Sequence, residues 1–146
     1  MKKYYCFITS DNQGFAYNTF LKRIKEKKWV TYLKTLKYSS LKENDEIIFY
    51  IAGSSINRQT FVGNAMVEKV NLTKNNYMVD PDDIKKEITS IINLKNINIF
   101  KKPIAVKELI EKLDFIKNKY NWGMFFHGGI REINQKDFEL ISKINT

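Results

Sequence analysis

The stretch LDFIKNKYNWGMFFHGGIREINQKDF, residues 113–138, carries the densest set of structural signals in the chain. It starts at an apolar helix end and passes through a basic turn at Lys117–Lys119. The bulky apolar residues Trp122–Phe126 then predict a buried strand. Gly128–Gly129 permits backbone conformations that other residues avoid, so the strand is expected to stop at a sharp turn.

The residues after this turn predict a closing helix. Asn134, with Asp137 three positions later, is typical of a capping box, in which side chains bond the free backbone N–H groups of a helix start. The buried stripe of that helix is expected to be Phe138, Ile141 and Ile144.

Length and composition indicate one globular domain spanning residues 1–146. The chain is 43% hydrophobic and 28% charged, and it contains no apolar run of about 18 residues, the length that a membrane span needs. The N-terminus lacks the apolar region of a signal peptide, and a lone Cys6 cannot form an intramolecular disulfide. We therefore expect a cytoplasmic protein, a monomer, with no membrane partner and with Cys6 as a buried strand residue.

The formal charge of +9 favours a polyanionic partner. Only three of the 25 basic residues are arginines, and lysine supplies point charges rather than bidentate contacts. Between Lys22 and Lys42, basic side chains cluster around Trp29 with Glu26 as the only acid. A biased genome or a hot habitat would also enrich lysine, so the functional meaning of the charge stays open.

The rest of the chain predicts short strands and few helices. Tyr17, Phe20, Leu21 and Ile24 recur at helical spacing, which predicts an amphipathic helix from about Phe15 to Lys27. Strands are predicted at Tyr4–Ile8, Trp29–Tyr32, Ile47–Ile51 and Phe61–Val67. Alternation from Ile92 onward slips by one residue near Asn96, as a β-bulge would cause, and Leu109, Ile110 and Leu113 predict a short helix. These elements predict an α+β fold with a small, mixed, mostly antiparallel barrel flanked by short helices.

Several separated motifs resemble the EVE domain of the PUA-like superfamily, which is related to the YTH readers of methylated adenine. Residues 115–141 follow the family pattern FIKNK..W...F.G..R.I...D...I. Trp29 stands where EVE domains carry Trp-Gly-Val, with Val30 in place of the glycine, and Phe61–Val67 resembles the family's F.G...V strand. The resemblance implies a PUA-like fold that binds RNA or DNA and reads a modified or flipped base.

The inventory of reactive residues argues against catalysis. His127 is the only histidine and Cys6 the only cysteine, which excludes a His-His metal site and a Cys-His dyad within the chain. No phosphate-binding glycine loop occurs, and the carboxylates alternate with lysines as on a solvated helix face. We therefore predict no catalytic residues, no metal and no cofactor.

Aromatic residues are the natural partners of a captured base, because flat side chains stack on it and polar groups bond its edge. The predicted base-binding pocket comprises Ser10, Asn12, Trp29, Val30, Tyr50, Trp122 and His127, with the two tryptophans as the stacking pair. Each residue also has a structural interpretation. Both tryptophans and Tyr50 could be core, Ser10 and Asn12 could cap a helix, and His127 could be structural.

Basic residues near these segments are the predicted phosphate contacts: Lys27, Lys28, Lys34, Arg58, Lys117, Lys119 and Arg131. Arg131 could instead pair with Glu132 or Asp137. Two other functions remain open. An enzyme of the ASCH type would need a lysine or carboxylate with a perturbed pKa in the pocket, and a small-molecule or protein-interaction module would leave the basic face incidental.

Overall fold

The computed structural model describes residues 1–10, 15–32, 40–53, 56–72, 78–80 and 83–144. Asn12 and Lys34 of the predicted site lie outside these residues. The described strands are β1 Tyr4–Thr9, β2 Lys28–Tyr32, β3 Glu46–Ile51, β4 Thr60–Leu72, β5 Met78–Asp80, β6 Asp83–Ala105 and β7 Ile130–Ile133. The helices are α1 Ala16–Glu26 and α2 Gln135–Lys143, with 3-10 turns at Val106–Glu108 and Trp122–Phe126.

The strands form one sheet in the order β2-β6-β4-β3-β1-β7, with β5 paired to β6. β1 and β3 run parallel, and every other described pair is antiparallel. The sheet curls into a half-barrel, so the predicted mixed, mostly antiparallel α+β architecture is confirmed.

Two apolar clusters cover the two faces of the sheet, because side chains alternate along each strand. The α1-side cluster includes Tyr5, Phe7, Trp29 and Phe49, and α1 covers it with Ala16, Phe20 and Ile24. The α2-side cluster includes Cys6, Ile8, Ile48 and Tyr50, together with Phe138 and Ile141 of α2. β1 and β3 are therefore buried on both faces, which explains their unbroken apolar sequences.

β4 and β6 meet at an irregular stretch that the sequence predicted. Their register shifts between Asn64 and Met66, opposite Asn98 and Lys95, and Asn96 adopts a left-handed φ of 52°. The backbones approach so closely that a Cβ at Gly63 would lie 2.7 Å from the Asn98 carbonyl oxygen. The predicted bulge near Asn96 is thus confirmed.

Two predictions for residues 106–126 are wrong. The short helix expected to carry Leu109–Leu113 is a 3-10 turn at Val106–Glu108 followed by turns, although Leu109 and Leu113 are buried as expected. Trp122–Phe126 is a 3-10 turn rather than a strand, and it brings the Trp122 ring to 6.2 Å from the Phe126 ring. Its apolar content reflects the burial of Phe125 and Phe126 in the α2-side cluster, not pairing with a neighbouring strand.

The capping prediction for the last helix is confirmed in part. Asn134 accepts a hydrogen bond from the Asp137 N–H at 2.8 Å. The Asp137 carboxylate turns away from the helix and accepts from the N–H groups of Asp114 and Phe115, both at 2.9 Å. Ile144, expected in the buried stripe, lies at the C-cap and is 51% exposed. No helix in the described part of the chain is long and apolar enough to cross a membrane.

Candidate functional site

The ends of β1 and β3 and the start of β7 meet at one edge of the sheet. The Ile8 N–H donates to the Gly129 carbonyl at 2.7 Å, and the Ala52 N–H donates to the Thr9 carbonyl at 2.9 Å. Gly128 and Gly129 have φ values of 90° and 79°, so the turn before β7 requires the freedom of glycine, as predicted. Continuing the β1–β7 register past Phe7 and Ile130 would set the exposed Ser10 opposite the exposed His127.

Thr9 at this edge holds an unsatisfied polar group. Its side chain is 4% exposed, and its hydroxyl has no hydrogen-bond partner among the described residues. Alternation along β1 puts Thr9 on the same face as Tyr5 and Phe7, and its partner Ile51 also belongs to the α1-side cluster. An unpaired buried hydroxyl lowers the free energy of unfolding by about 1–3 kcal/mol, so Thr9 is an unfavourable feature of the fold when it has no partner.

The same face carries a cluster of aromatic rings around Trp29. The Trp29 ring lies 4.9 Å from Phe49, 5.8 Å from Phe7 and 6.4 Å from Phe20, centroid to centroid. Trp29 is 3% exposed, so in this structure it is a core residue.

Arg23 joins this cluster from α1 and was missed at the level of sequence. Its guanidinium carbon lies 4.8 Å from the Trp29 ring centroid, and it donates to the Tyr32 hydroxyl at 2.8 Å. Arg23 is half-buried, so this polar neighbour of Trp29 is in contact with solvent. Its position six residues before Trp29 gave no sequence signal of this contact.

The other predicted aromatic residues lie on the opposite face. Tyr50 is 1% exposed and stacks on Phe126 with centroids 3.9 Å apart, and the half-buried Trp122 packs on the same Phe126 ring. Burial raises the pKa of the Tyr50 phenol, which keeps it neutral. Trp29 and Trp122 therefore do not face each other. Val30, half-buried on β2, points away from Trp29 by alternation.

The predicted phosphate contacts fall into separate groups. Lys27 and Lys28 are exposed at the junction of α1 and β2, where Lys27 takes a left-handed conformation as the helix C-cap. Arg58 is exposed in the connection before β4. Lys117 is exposed, and Lys119 donates to the Leu113 carbonyl at 2.7 Å.

Arg131 lies with Lys117 in a surface cleft of about 590 Å³. Its guanidinium carbon is 5.3 Å from the Phe125 ring centroid, and its buried Nε has no partner among the described residues. Asp114 also lines this cleft, and hydrogen bonds from Lys136 and Asn134 lower the pKa of its carboxyl. The cleft thus carries both signs of charge.

The described residues give little basis for catalytic chemistry. They contain no group of three His, Cys, Asp or Glu side chains that could hold a metal ion. Burial raises the pKa of the Cys6 thiol, so it is a poor nucleophile. The buried carboxylates Asp45 and Asp137 each accept two backbone N–H groups, which is a structural role.

Comparison with known proteins identifies the family. The EVE domain family model matches residues 3–144, and the chain belongs to that family. The UPF0310 protein PH1033 of Pyrococcus horikoshii is 45% identical over 49 residues, a match that spans 30% of this chain and 34% of that protein.

Two solved structures show the same fold. The N-terminal domain of Staphylothermus marinus McrB matches with a TM-score of 0.62 and 14% identity, covering 98% of this chain and 94% of that one. The human THYN1 protein, solved in complex with DNA containing 5-methylcytosine, matches with a TM-score of 0.60 and 14% identity, covering 99% and 98%. The PUA-like fold predicted from the sequence is thereby confirmed.

Proposed function

We propose that this EVE domain is a cytoplasmic nucleic-acid-binding protein that captures one unstacked, modified base at the edge where β1 ends. The observation that carries the proposal is the buried, unpaired Thr9 hydroxyl on the same face as the Trp29 rings. A base needs a flat surface to stack on and a polar group for its edge, and this face offers both. The DNA complex of the similarly folded THYN1 supports nucleic acid as the ligand class.

Stacking on Trp29 requires a neighbouring side chain to move, since the ring is only 3% exposed. Arg23 is the candidate, because its guanidinium occupies a place beside the ring at 4.8 Å and belongs to a half-buried side chain. If a base takes this place, Trp29 loses its cation-π contact with Arg23 and gains a stacking contact with the base. The base entrance is then the place beside Trp29 that Arg23 fills.

Ser10 and His127 stay in the proposal as contacts to the bound strand at the end of β1, and Asn12, which lies outside the described residues, keeps its predicted role as a base-edge contact. Val30 is not assigned a contact, because it points away from Trp29.

The basic residues around α1 supply the phosphate contacts in this proposal. Lys22, Lys25, Lys27 and Lys28 are all exposed, so the field beside Trp29 reaches solvent. Lys27, Lys28 and Lys34 are assigned to phosphates next to the captured base. Tyr50 and Trp122 are not part of this entrance, because they lie on the opposite face.

An ASCH-like enzyme receives less support. It would need a reactive lysine or carboxylate in the pocket, but the buried carboxylates among the described residues, Asp45 and Asp137, each already accept two backbone N–H groups. We therefore favour binding over catalysis.

Titration against paired oligonucleotides tests the proposal. Each pair would share one sequence and differ only in a single methylated cytosine or adenine, with affinity measured by fluorescence anisotropy at low and physiological salt. We expect affinity to fall with salt, with a log-log slope equivalent to a few phosphate contacts, and at least one methylated member to bind more tightly than its partner. An affinity that does not change with salt would contradict nucleic-acid binding, and equal affinities in every pair would contradict base capture.

Charge reversal locates the phosphate contacts in the same assay. Lys27→Glu with Lys28→Glu should weaken binding to methylated and unmethylated strands by the same factor, because phosphate contacts carry no base information. The matched control is Lys107→Glu with Lys112→Glu, two exposed lysines beyond β6 that change the net charge equally. Equal loss in both double variants would mean that only net charge matters and that Lys27 and Lys28 make no specific contact.

A further inference from the structure

A second aromatic surface lies on the far side of the His127–Gly129 turn. It is an open depression of about 490 Å³, lined by Gln59, Tyr120, Trp122, Met124 and His127 among others, and the described residues of its lining include no carboxylate. Tyr120 is 92% exposed and Met124 is 55% exposed. Large apolar side chains so fully exposed on one rim mark a surface that is suited to contact with a partner.

The segment that carries these side chains, residues 118–126, is fixed by hydrogen bonds to its backbone and by ring packing. The Asn118 side-chain oxygen accepts from the N–H groups of Tyr120 and Asn121, both at 3.1 Å. Trp122 packs on Phe126, which is itself stacked on the buried Tyr50. The backbone at Tyr120 and the ring of Trp122 therefore have fixed positions, which lowers the entropy that a ligand must remove on binding.

This depression adjoins the turn beside the end of β1, where the proposed base site lies. His127 lines the depression, and two residues further on the Gly129 carbonyl accepts from Ile8, directly before Thr9 and Ser10. A strand bound at the end of β1 that continued past His127 would enter this depression, which Tyr120 also lines.

The charge of the depression favours a nucleic acid over a protein as the occupant. No acidic side chain occurs among the described residues of its lining, and the exposed Arg58 directly precedes the lining residue Gln59. Neutral flat rings beside a cation match bases beside phosphates.

We propose that Tyr120, which lines the depression together with Trp122 and Met124, is a stacking platform for a nucleotide that flanks the captured base. The ligand is then a single strand, or an opened stretch of duplex, several nucleotides long, rather than an isolated nucleotide. This proposal rests on the proposed function and extends its binding surface across the His127 turn.

Affinity as a function of ligand length tests the platform. Wild type and Tyr120→Ala would be titrated with the preferred nucleotide alone, and with single strands of three and nine residues that contain it. We expect Tyr120→Ala to weaken binding of the nine-residue strand by about fivefold or more, the scale of one base-aromatic stack, and to leave the mononucleotide affinity unchanged. Tyr120→Phe should retain wild-type binding, because the ring is what stacks.

Controls separate the platform from folding and from the base site. Tyr120 is 92% exposed, so Tyr120→Ala should melt as the wild type does. Leu72→Ala removes another exposed apolar side chain, at the end of β4, and should leave the affinity for every ligand unchanged.

Unchanged binding of the nine-residue strand by Tyr120→Ala would overturn the platform while leaving the base site intact. If the wild-type protein binds none of the strands, the proposed nucleic-acid-binding function itself is contradicted. Self-association that depends on Tyr120, without any loss of strand binding, would instead make this surface a protein interface and overturn the platform.

Discussion

Replacing Trp29 by alanine is expected to lower the free energy of unfolding by about 3–5 kcal/mol, the usual cost of removing a core tryptophan. The ring is 3% exposed and contacts Phe7, Phe20 and Phe49, so its removal leaves a cavity that rigid neighbours cannot fill. Chemical denaturation measures the change directly. A loss below about 1 kcal/mol would mean that the site collapses easily and that the ring is not part of a tightly packed core.

The same residue carries a binding prediction, to be measured at a temperature where the variant stays folded. If a captured base stacks on Trp29, Trp29→Ala should lose about 1–3 kcal/mol of affinity for the preferred modified strand and much less for the unmodified strand. Phe20→Leu is the matched control, because it loosens the same cluster from α1 without removing the stacking surface. A selective loss of affinity for the modified strand in Trp29→Ala alone supports the base site. Equal losses of affinity in both variants would mean that the effect comes from reduced folding stability.

Asp137→Ala is expected to produce the second large effect, a loss of about 3 kcal/mol of folding free energy. The carboxylate is fully buried and accepts from the N–H groups of Asp114 and Phe115, tying the 114–115 turn to the start of α2. Alanine leaves both donors buried without a partner, and each such group costs about 1–3 kcal/mol.

Thermal and chemical melts of two variants check this assignment. Asp114→Ala is the control, because Asp114 lies on the surface beside the same turn and pairs with Lys136 at 3.1 Å in solvent. It should melt much closer to the wild type. Similar losses in the two variants would show that the buried carboxylate is not the link between the turn and the helix.

The sequence predicted best those elements whose pattern is local. The apolar runs of β1 and β3 and the 3.6-residue stripe of α1 specify their own structure, and the slip near Asn96 marks its own bulge. Trp122–Phe126 misled because a run of bulky apolar residues is equally compatible with a strand and with a tight turn whose rings pack on each other. The choice between the two depends on whether a partner strand is available, and that is a tertiary property.

The site was predictable only in part for the same reason. Trp29 and Ser10 were selected from the sequence, but the face on which a side chain lies depends on strand register. Trp122 and Tyr50 thus proved to lie opposite Trp29. Thr9 was not predicted because a threonine at a strand end is ordinary, and its importance comes from the lack of a hydrogen-bond partner among the described residues of the folded chain. No pattern in the sequence indicates that a buried hydroxyl lacks a hydrogen-bond partner.

Thr9→Val tests the central claim most directly, since it removes the unpaired hydroxyl and keeps the shape of the side chain. If the hydroxyl is reserved for a base, the variant should be as stable as the wild type or more stable, because a buried unsatisfied group has been removed. It should also bind the preferred modified strand more weakly by about 1–3 kcal/mol, since a polar atom on the base then lacks its partner. Melting and titration of the same preparation give both values. A stable Thr9→Val variant that binds the modified strand as tightly as the wild type would contradict the account and move the base site away from this edge of the sheet.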